Sequence, residues 1–249
     1  MLLAIDVGNT NISCGIFKGP RLVKQFNIPA KACFKTHLIR KLKDVSRISA
    51  SIICSVVPKQ TPGILRNLIS LTGKTPYIIG RDLLIPIRNL YHRPKQVGQD
   101  RLVNAYAASI LYQAPLIVID SGTAITFDVI SKKNEYLGGL IAPGMEISLK
   151  ALKEKTALLP EVKLTRPRML IGKDTNNSIL SGIVFGAADL CSGITKRIRQ
   201  RFGSDILVIG TGGNICLIKE YSKLDIRIDK NLTLKGINLT YEYGIKKRI

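Results

Sequence analysis

Tryptophan is absent from this chain, histidine occurs only as His37 and His92, and no two of its five cysteines form a C-x-x-C pair. Two imidazoles without a cysteine pair exclude the usual zinc-binding patterns. The odd thiol count (Cys14, Cys33, Cys54, Cys191, Cys216), with three inside apolar runs, argues for reduced, partly buried thiols in a cytoplasmic protein rather than a disulfide framework. Acidic residues are scarce as well: 17 Asp and Glu against 38 Lys and Arg leave a net charge of +21. A charge of that size raises nucleic acid as a partner. Yet the basic residues are scattered in short clusters, Lys41 with Lys43, residues 132–133, 196–201 and 246–248. None sits in a helix-turn-helix, zinc-finger or basic-zipper pattern, and aromatics for base stacking amount to 6%. A solvated basic surface, with no nucleic acid, is the expectation. Long apolar runs are missing too. The longest uncharged stretch, between Arg101 and Asp120, contains Asn104, Gln113 and Pro115 and reads as a helix followed by a strand, not a membrane span. Asp6 interrupts the first apolar stretch before the hydrophobic region of a signal peptide can form.

What is present is 45% hydrophobic residues over 249 positions, enough for a sizeable core in one large domain or two modest ones. Residues 2–16 read as strand, tight turn, strand. Gly8 and Asn9 are expected to take the left-handed conformations of a tight hairpin, and Asp6, Asn9, Thr10 and Asn11 lie on the rim. A carboxylate beside small polar side chains and open backbone N–H groups suits a phosphate tail held with magnesium; an ordinary polar hairpin tip is the plainer reading. The pattern recurs at residues 116–130, where an apolar run again leads into Asp-x-Gly (Asp120-Ser121-Gly122), a small polar residue and a second strand. Asp6 and Asp120 lie 114 positions apart, close to half the chain, which suggests two related halves, residues 1–114 and 115–249.

Between the hairpins, a third strand near 22–28, a helix over 34–42, a strand over 48–57 stopped by Pro58, an amphipathic helix over 62–71 and a strand at 77–79 make a mixed α/β unit. Ile64, Leu65, Leu68, Ile69 and Leu71 are expected on one side of the amphipathic helix. A loop punctuated by Pro86, Pro94 and Gly98 carries Tyr91 and ends in Gly98-Gln99-Asp100-Arg101, where a helix starts. Asp100 fits two roles there: an N-cap, or a carboxylate general base with the adjacent arginine for an anionic substrate. After the second hairpin come a glycine-edged strand over 136–144 and a short helix over 145–152. A long helix then follows the capping candidates at 174–178, its basic last turns complementing the helix dipole, and a strand at 206–209 delivers Gly210-Thr211-Gly212-Gly213-Asn214.

Together, Asp6-Val7-Gly8-Asn9-Thr10, Cys54-Ser55-Val56-Val57-Pro58, Gly98-Gln99-Asp100-Arg101, Asp120-Ser121-Gly122-Thr123-Ala124, Gly138-Gly139-Leu140-Ile141-Ala142-Pro143-Gly144 and Thr211-Gly212-Gly213-Asn214 resemble the ordered motif set of type III pantothenate kinases. The resemblance covers nearly the whole chain. It implies the actin-like ATPase fold, two ribonuclease-H-like α/β halves with mixed central sheets flanked by helices and ATP in the cleft between them, and phosphorylation of the primary hydroxyl of pantothenate by magnesium-ATP. By motif match, Asp6, Val7, Gly8, Asn9, Thr10, Asn11, Ile12 and Ser13 would bind the ATP phosphates, with magnesium near Asp6, and Thr123 would contact ATP. Asp100 would accept the hydroxyl proton. Gly98, Gln99, Asp100 and Arg101, with Tyr91 and Thr175, would bind pantothenate, and Asp120 would hold potassium or ammonium. A cytoplasmic homodimer completes what the resemblance implies. Ser121 and Ile125 stand where threonine is more usual; serine keeps the hydroxyl, and Ile125 is expected to point away from the tip. Two alternatives remain open from the residues: a sugar kinase or polyphosphatase of the same superfamily, and a catalytically inactive basic regulator that binds nucleic acid.

Overall fold

The computed structural model describes residues 1–42 and 44–247. Two members of the basic clusters, Lys43 and Arg248, lie outside the described residues. The chain forms two compact units, the first comprising Met1–Tyr112 with the C-terminal segment from Asn231, the second Gln113–Lys230.

In the first unit, β1 (Leu2–Val7), β2 (Asn11–Lys18) and β3 (Arg21–Pro29) are followed by α1 (Phe34–Leu42), β4 (Ala50–Ser55), α2 (Thr61–Thr72), β5 (Tyr77–Ile78), the two-residue β6 (Arg88–Asn89) and α3 (Gln99–Leu111). The sheet order is β3-β2-β1-β4-β5, antiparallel through β3, β2 and β1 and parallel from β1 to β5. As the central strand, β1 is covered on both faces, which explains its unbroken apolar run. Leu3, Ile5 and Val7 join Ile12, Phe34, Leu38 and Leu68 on one side, while Leu2 and Ala4 join Ile52 and Val103 on the other. Helix α2 buries Ile64 and Leu68 as its spacing predicts, but Ile69 is 42% exposed, because only a narrow stripe of a two-layer helix reaches the sheet.

The second unit contains β7 (Leu116–Ser121), β8 (Ala124–Ile130), β9 (Glu135–Pro143), α4 (Met145–Lys155), α5 (Thr175–Phe202), β10 (Leu207–Thr211), α6 (Ile215–Tyr221) and β11 (Arg227–Ile228). Its own strands run β9-β8-β7-β10-β11, with β7, β8 and β9 antiparallel and β7, β10 and β11 parallel. This is the topology of the first sheet repeated, so the duplication suggested by the two Asp-x-Gly hairpins extends to five strands in each unit. Ile125 is buried in the unit's core, away from the hairpin tip. The uncharged stretch after Arg101 resolves into α3 and β7. Among the described residues, α5 is the one helix long and apolar enough to cross a membrane. Its Leu180, Val184, Cys191 and Ile198 are packed in the core of its unit, which accounts for the apolarity. Asp174 caps it through the Asn177 N–H at 2.8 Å, and Arg199 near its end donates to the Ile206 carbonyl at 3.3 Å.

The division expected at 114/115 fails at the C-terminus. Helix α7 (Leu232–Lys246) belongs to the first unit, where Leu234 and Ile237 pack with Leu2, Ala4, Phe17 and Val103. Sequence periodicity marks a buried face without naming what covers it. All five cysteines are free thiols, with Cys14, Cys54 and Cys191 buried.

Candidate active site

The first unit gathers three motifs at one end of its sheet. Asp6 pairs with Ser13 across the β1–β2 hairpin and lies beside Cys54 in parallel β4. The hairpin closes through the Gly8 N–H donating to the Asn11 carbonyl at 3.0 Å. Neither Gly8 nor Asn9 is left-handed, contrary to the expectation of a tight primed turn. Gly8 serves by proximity instead, since a Cβ there would lie 3.1 Å from the Asn11 oxygen. Val7 and Ile12 face the core, so from these two positions only backbone groups are available to a ligand. Asn9, Thr10 and Asn11 are exposed, and Asp6 and Ser13 are half-buried.

The Cys54-Ser55-Val56-Val57-Pro58 motif is a structural corner. The Ser55 hydroxyl accepts from the Val57 N–H at 3.1 Å and the Thr61 hydroxyl at 2.8 Å, tying the end of β4 to the first turn of α2. Beside it, Gly98 rather than Asp100 is the N-cap of α3, and Asp100 occupies the second helical position. Its Oδ1 accepts the Arg101 N–H at 2.8 Å. The capping role, one of two readings of Asp100, is therefore filled by another residue, and the carboxylate sits in the first turn near the positive end of the helix. Gly98 makes this possible: a Cβ there would come 2.5 Å from Asp100 Oδ1. Burial pushes the Asp100 carboxyl above its ordinary value, opposed by the Arg101 N–H and guanidinium. Arg101 itself is only 8% exposed. Gln99 turns to pack on Gly80, whose φ of +85° excludes other residues and whose missing Cβ would meet the Gln99 amide at 3.0 Å.

Asp6 and Asp100 meet electrostatically at one group. The fully buried Cys54 thiol is pushed well up by burial first, then by the charges of Asp6 and of Asp100, so both carboxylates lie near enough to act on it. Cys14 feels burial and Asp6 in the same direction. Tyr91 is half-buried in a loop held by Asn89, whose Oδ1 accepts the Tyr91 N–H at 3.0 Å and whose Nδ2 donates to the Pro94 carbonyl at 3.3 Å.

In the second unit, Asp120 pairs with Thr126 across the β7–β8 hairpin and lies beside Thr211 of β10. Two glycines absent from the sequence-derived candidates shape this tip. Gly212, at φ +91°, lies where a Cβ would come 2.4 Å from Asp120 Oδ1 and 2.5 Å from the Ser121 carbonyl oxygen. Gly144 lies where a Cβ would come 2.3 Å from the Thr123 oxygen and 2.4 Å from the Gly122 oxygen, and its N–H donates to Thr123 at 3.1 Å. The Asn214 N–H donates to the Ser121 carbonyl at 2.9 Å. The Ser121 hydroxyl is buried with no hydrogen-bond partner among the described residues. The result is a glycine-walled cradle of carboxylate and carbonyl oxygens. Among the described residues no group of three or more His, Cys, Asp or Glu assembles. A divalent ion here would therefore rest on one carboxylate, water and the phosphates of its ligand, as magnesium commonly does. Thr123 is exposed at the hairpin tip, and Thr175 is exposed as the first residue of α5. The glycine spacing at 138–144 and 210–213 was the available signal for the cradle; what it lacked was any indication of which oxygens the glycines would face.

Residues 2–197 match the family described as type III pantothenate kinase. Type III pantothenate kinase from Syntrophotalea carbinolica is 38% identical over 250 residues, covering 97% of this chain and 98% of the relative. That from Moorella thermoacetica is 41% identical over 253 residues, covering 97% and 99%. Among solved structures, the activator of the 2-hydroxyisocaproyl-CoA dehydratase from Clostridium difficile with bound ADPNP superposes with a TM-score of 0.61 at 11% identity, covering 99% of this chain and 96% of that one. At that identity the likeness shows the fold alone, the actin-like ATPase and sugar-kinase architecture.

Proposed function

Because the chain belongs to the type III pantothenate kinase family and phosphorylates pantothenate with magnesium-ATP at the entry to coenzyme A biosynthesis, we propose the following division of labour among its residues. Asp100 is the catalytic base, taking the proton from the primary hydroxyl of pantothenate as that oxygen attacks the γ-phosphorus and ADP leaves. Gly98, Gln99, Arg101, Tyr91 and Thr175 bind pantothenate. Arg101 supplies charge for its carboxylate; Gln99, packed on Gly80, acts by holding the turn. The observation that supports the assignment is the pairing of Asp6 with Cys54 in adjacent strands, with Asp100 near enough to act on the same thiol. A buried carboxyl with a raised pKa is a better proton acceptor than an exposed one, and phosphoryl transfer asks for positioning and charge neutralisation more than covalent chemistry.

The hairpin from Asp6 to Ser13 binds the ATP phosphates, with Val7, Gly8 and Ile12 contributing backbone groups and Asn9, Thr10, Asn11 and Ser13 polar side chains. Thr123 contacts ATP. Asp6 holds magnesium directly or through water, and that ion neutralises phosphate charge. Asp120 Oδ1 and the Ser121 carbonyl hold potassium or ammonium, which the oxygen cradle beneath Gly212 supports. The enzyme acts as a cytoplasmic homodimer. Supporting a second copy, Ile147 and Leu190 are exposed on α4 and α5, where Gly182 and Gly186 open onto an apolar groove of about 290 Å³. The sugar-kinase, polyphosphatase and nucleic-acid alternatives have no support from the relatives.

The test is phosphopantothenate formation by the purified protein with magnesium-ATP and potassium, ammonium or sodium as the sole monovalent cation. Activity with potassium or ammonium and none with sodium is expected. Equal rates in all three salts would remove the cation role of Asp120, and no product in any would remove the residue assignments.

A further inference from the structure

The glycine pair Gly138-Gly139 has no part in the kinase site, although Gly144 at the far end of the same motif lies at the Asp120 tip. The structure gives it surroundings of its own. β8 and β9 lose register between Val129 and Ile130: Val129 pairs with Gly138, Ile130 with Tyr136, and Leu137 is the extra residue of a bulge. Gly138 takes φ +121°, open to glycine alone, and so re-aims the strand. Over the bulge lies the last part of α5. Between them is a cavity of about 400 Å³, floored by Val129, Leu137, Ile194 and Ile198 and rimmed by Leu140 and Phe202. Gly138 and Gly139 open its strand side. Arg197 and Arg201, one helical turn apart, complete the lining, and no carboxylate takes part in it. The Arg201 guanidinium stands 5.5 Å over the Phe202 ring, which holds it at the rim. Leu140 and Phe202 remain 42% and 40% exposed, apolar surface that a ligand would cover.

We propose that this cavity is a binding site for a small amphipathic anion: a carboxylate or phosphate headgroup on the paired guanidinium groups, and an aliphatic or aromatic body on the Leu137 floor. The helix dipole explains cations at the end of α5, but not why two of them border an apolar cavity that a bulge and a glycine pair hold open. Its volume falls within the roughly 300–1,000 Å³ of small-molecule pockets, which join an apolar lining to a few polar groups. An acidic headgroup is selected because guanidinium offers donors only. The site stands independently of the residue assignments for catalysis, since all its lining residues lie within 129–202.

Decanoate is the probe, with decanol as its uncharged match, in calorimetric titrations of the full chain at low salt. Decanoate should bind one per chain, at least about tenfold more tightly than decanol, the usual scale of a charge-assisted contact. Added salt should weaken decanoate and leave decanol unchanged. The double variant Arg197→Ala/Arg201→Ala should bind decanoate no better than decanol, with melting temperature and pantothenate phosphorylation unaltered. Leu140→Trp, made at an exposed rim position that does not threaten the fold, should block both ligands. Equal affinities for decanoate and decanol, wild-type affinity in the arginine double variant, or no effect of Leu140→Trp would each overturn the proposal. So would the absence of binding together with loss of self-association in Leu140→Trp on sedimentation, which would assign the face to a second copy.

Discussion

Asp100 is the residue proposed as the base, and its environment gives a prediction with a sign. Burial raises its carboxyl above the ordinary 3.8, so between 3.8 and the raised value the folded protein holds a proton that the unfolded chain has released. From this group alone, stability increases as pH falls through that window, the reverse of a salt-bridged aspartate. Melting temperatures of wild type and Asp100→Asn compared from pH 7 toward pH 4 should therefore show wild type gaining on the variant. At pH 7 the variant should bind ATP nearly normally while turnover falls about a hundredfold or more, the scale expected for loss of a general base. A variant of near-normal rate would take Asp100 out of that role. Gly98 and Gly80 belong to the same account, because a Cβ at either would displace the side chain beside it, Asp100 or Gln99.

At the scale of elements, α3 carries Asp100 and is held against α7 by a contact that admits no side chain. A Cβ on Gly236 would lie 2.4 Å from the Val103 carbonyl oxygen and 2.6 Å from Val103 Cγ1. Gly236→Ala gains about 1 kcal/mol of helix propensity but meets fixed backbone, and overpacking of this kind costs about 1–3 kcal/mol or more. Net destabilisation should appear in urea unfolding as a lower midpoint. Gly193→Ala in α5 is the control, since nothing lies within 4 Å of its Cβ position; it should be neutral or stabilising by up to about 1 kcal/mol. Equal effects at the two sites would refute the close approach of α3 and α7. Helix existence was legible from periodicity and capping residues, as for α5 behind Asp174. The partner of α7 was not, because a 3.6-residue period specifies an apolar face and says nothing of distant strands that bury it.

For the whole molecule the dominant quantity is the charge of +21. Exposed pairs such as Arg47–Asp44 and Arg166–Glu220 gain little attraction in water, so screening them loses little. Self-repulsion among the excess cations is long-ranged, and salt relieves it. The melting temperature should rise between ~20 mM and ~500 mM choline chloride, a salt whose bulky cation does not suit a small oxygen cradle. A fall would mean that attractive surface pairs outweigh the net charge.

The sequence by itself determined the family, the two Asp-x-Gly hairpins, the order of most strands and helices and the candidate base, since each is written in local period, turn chemistry or ordered motif. Tertiary structure decided what depends on approach between distant segments. It brought Asp6 and Asp100 near the same Cys54 thiol, moved the N-cap from Asp100 to Gly98 and returned α7 to the first unit. It also turned scattered glycines into the oxygen cradle at Asp120, because a glycine's role there is set by the atom that fills the space of its missing Cβ.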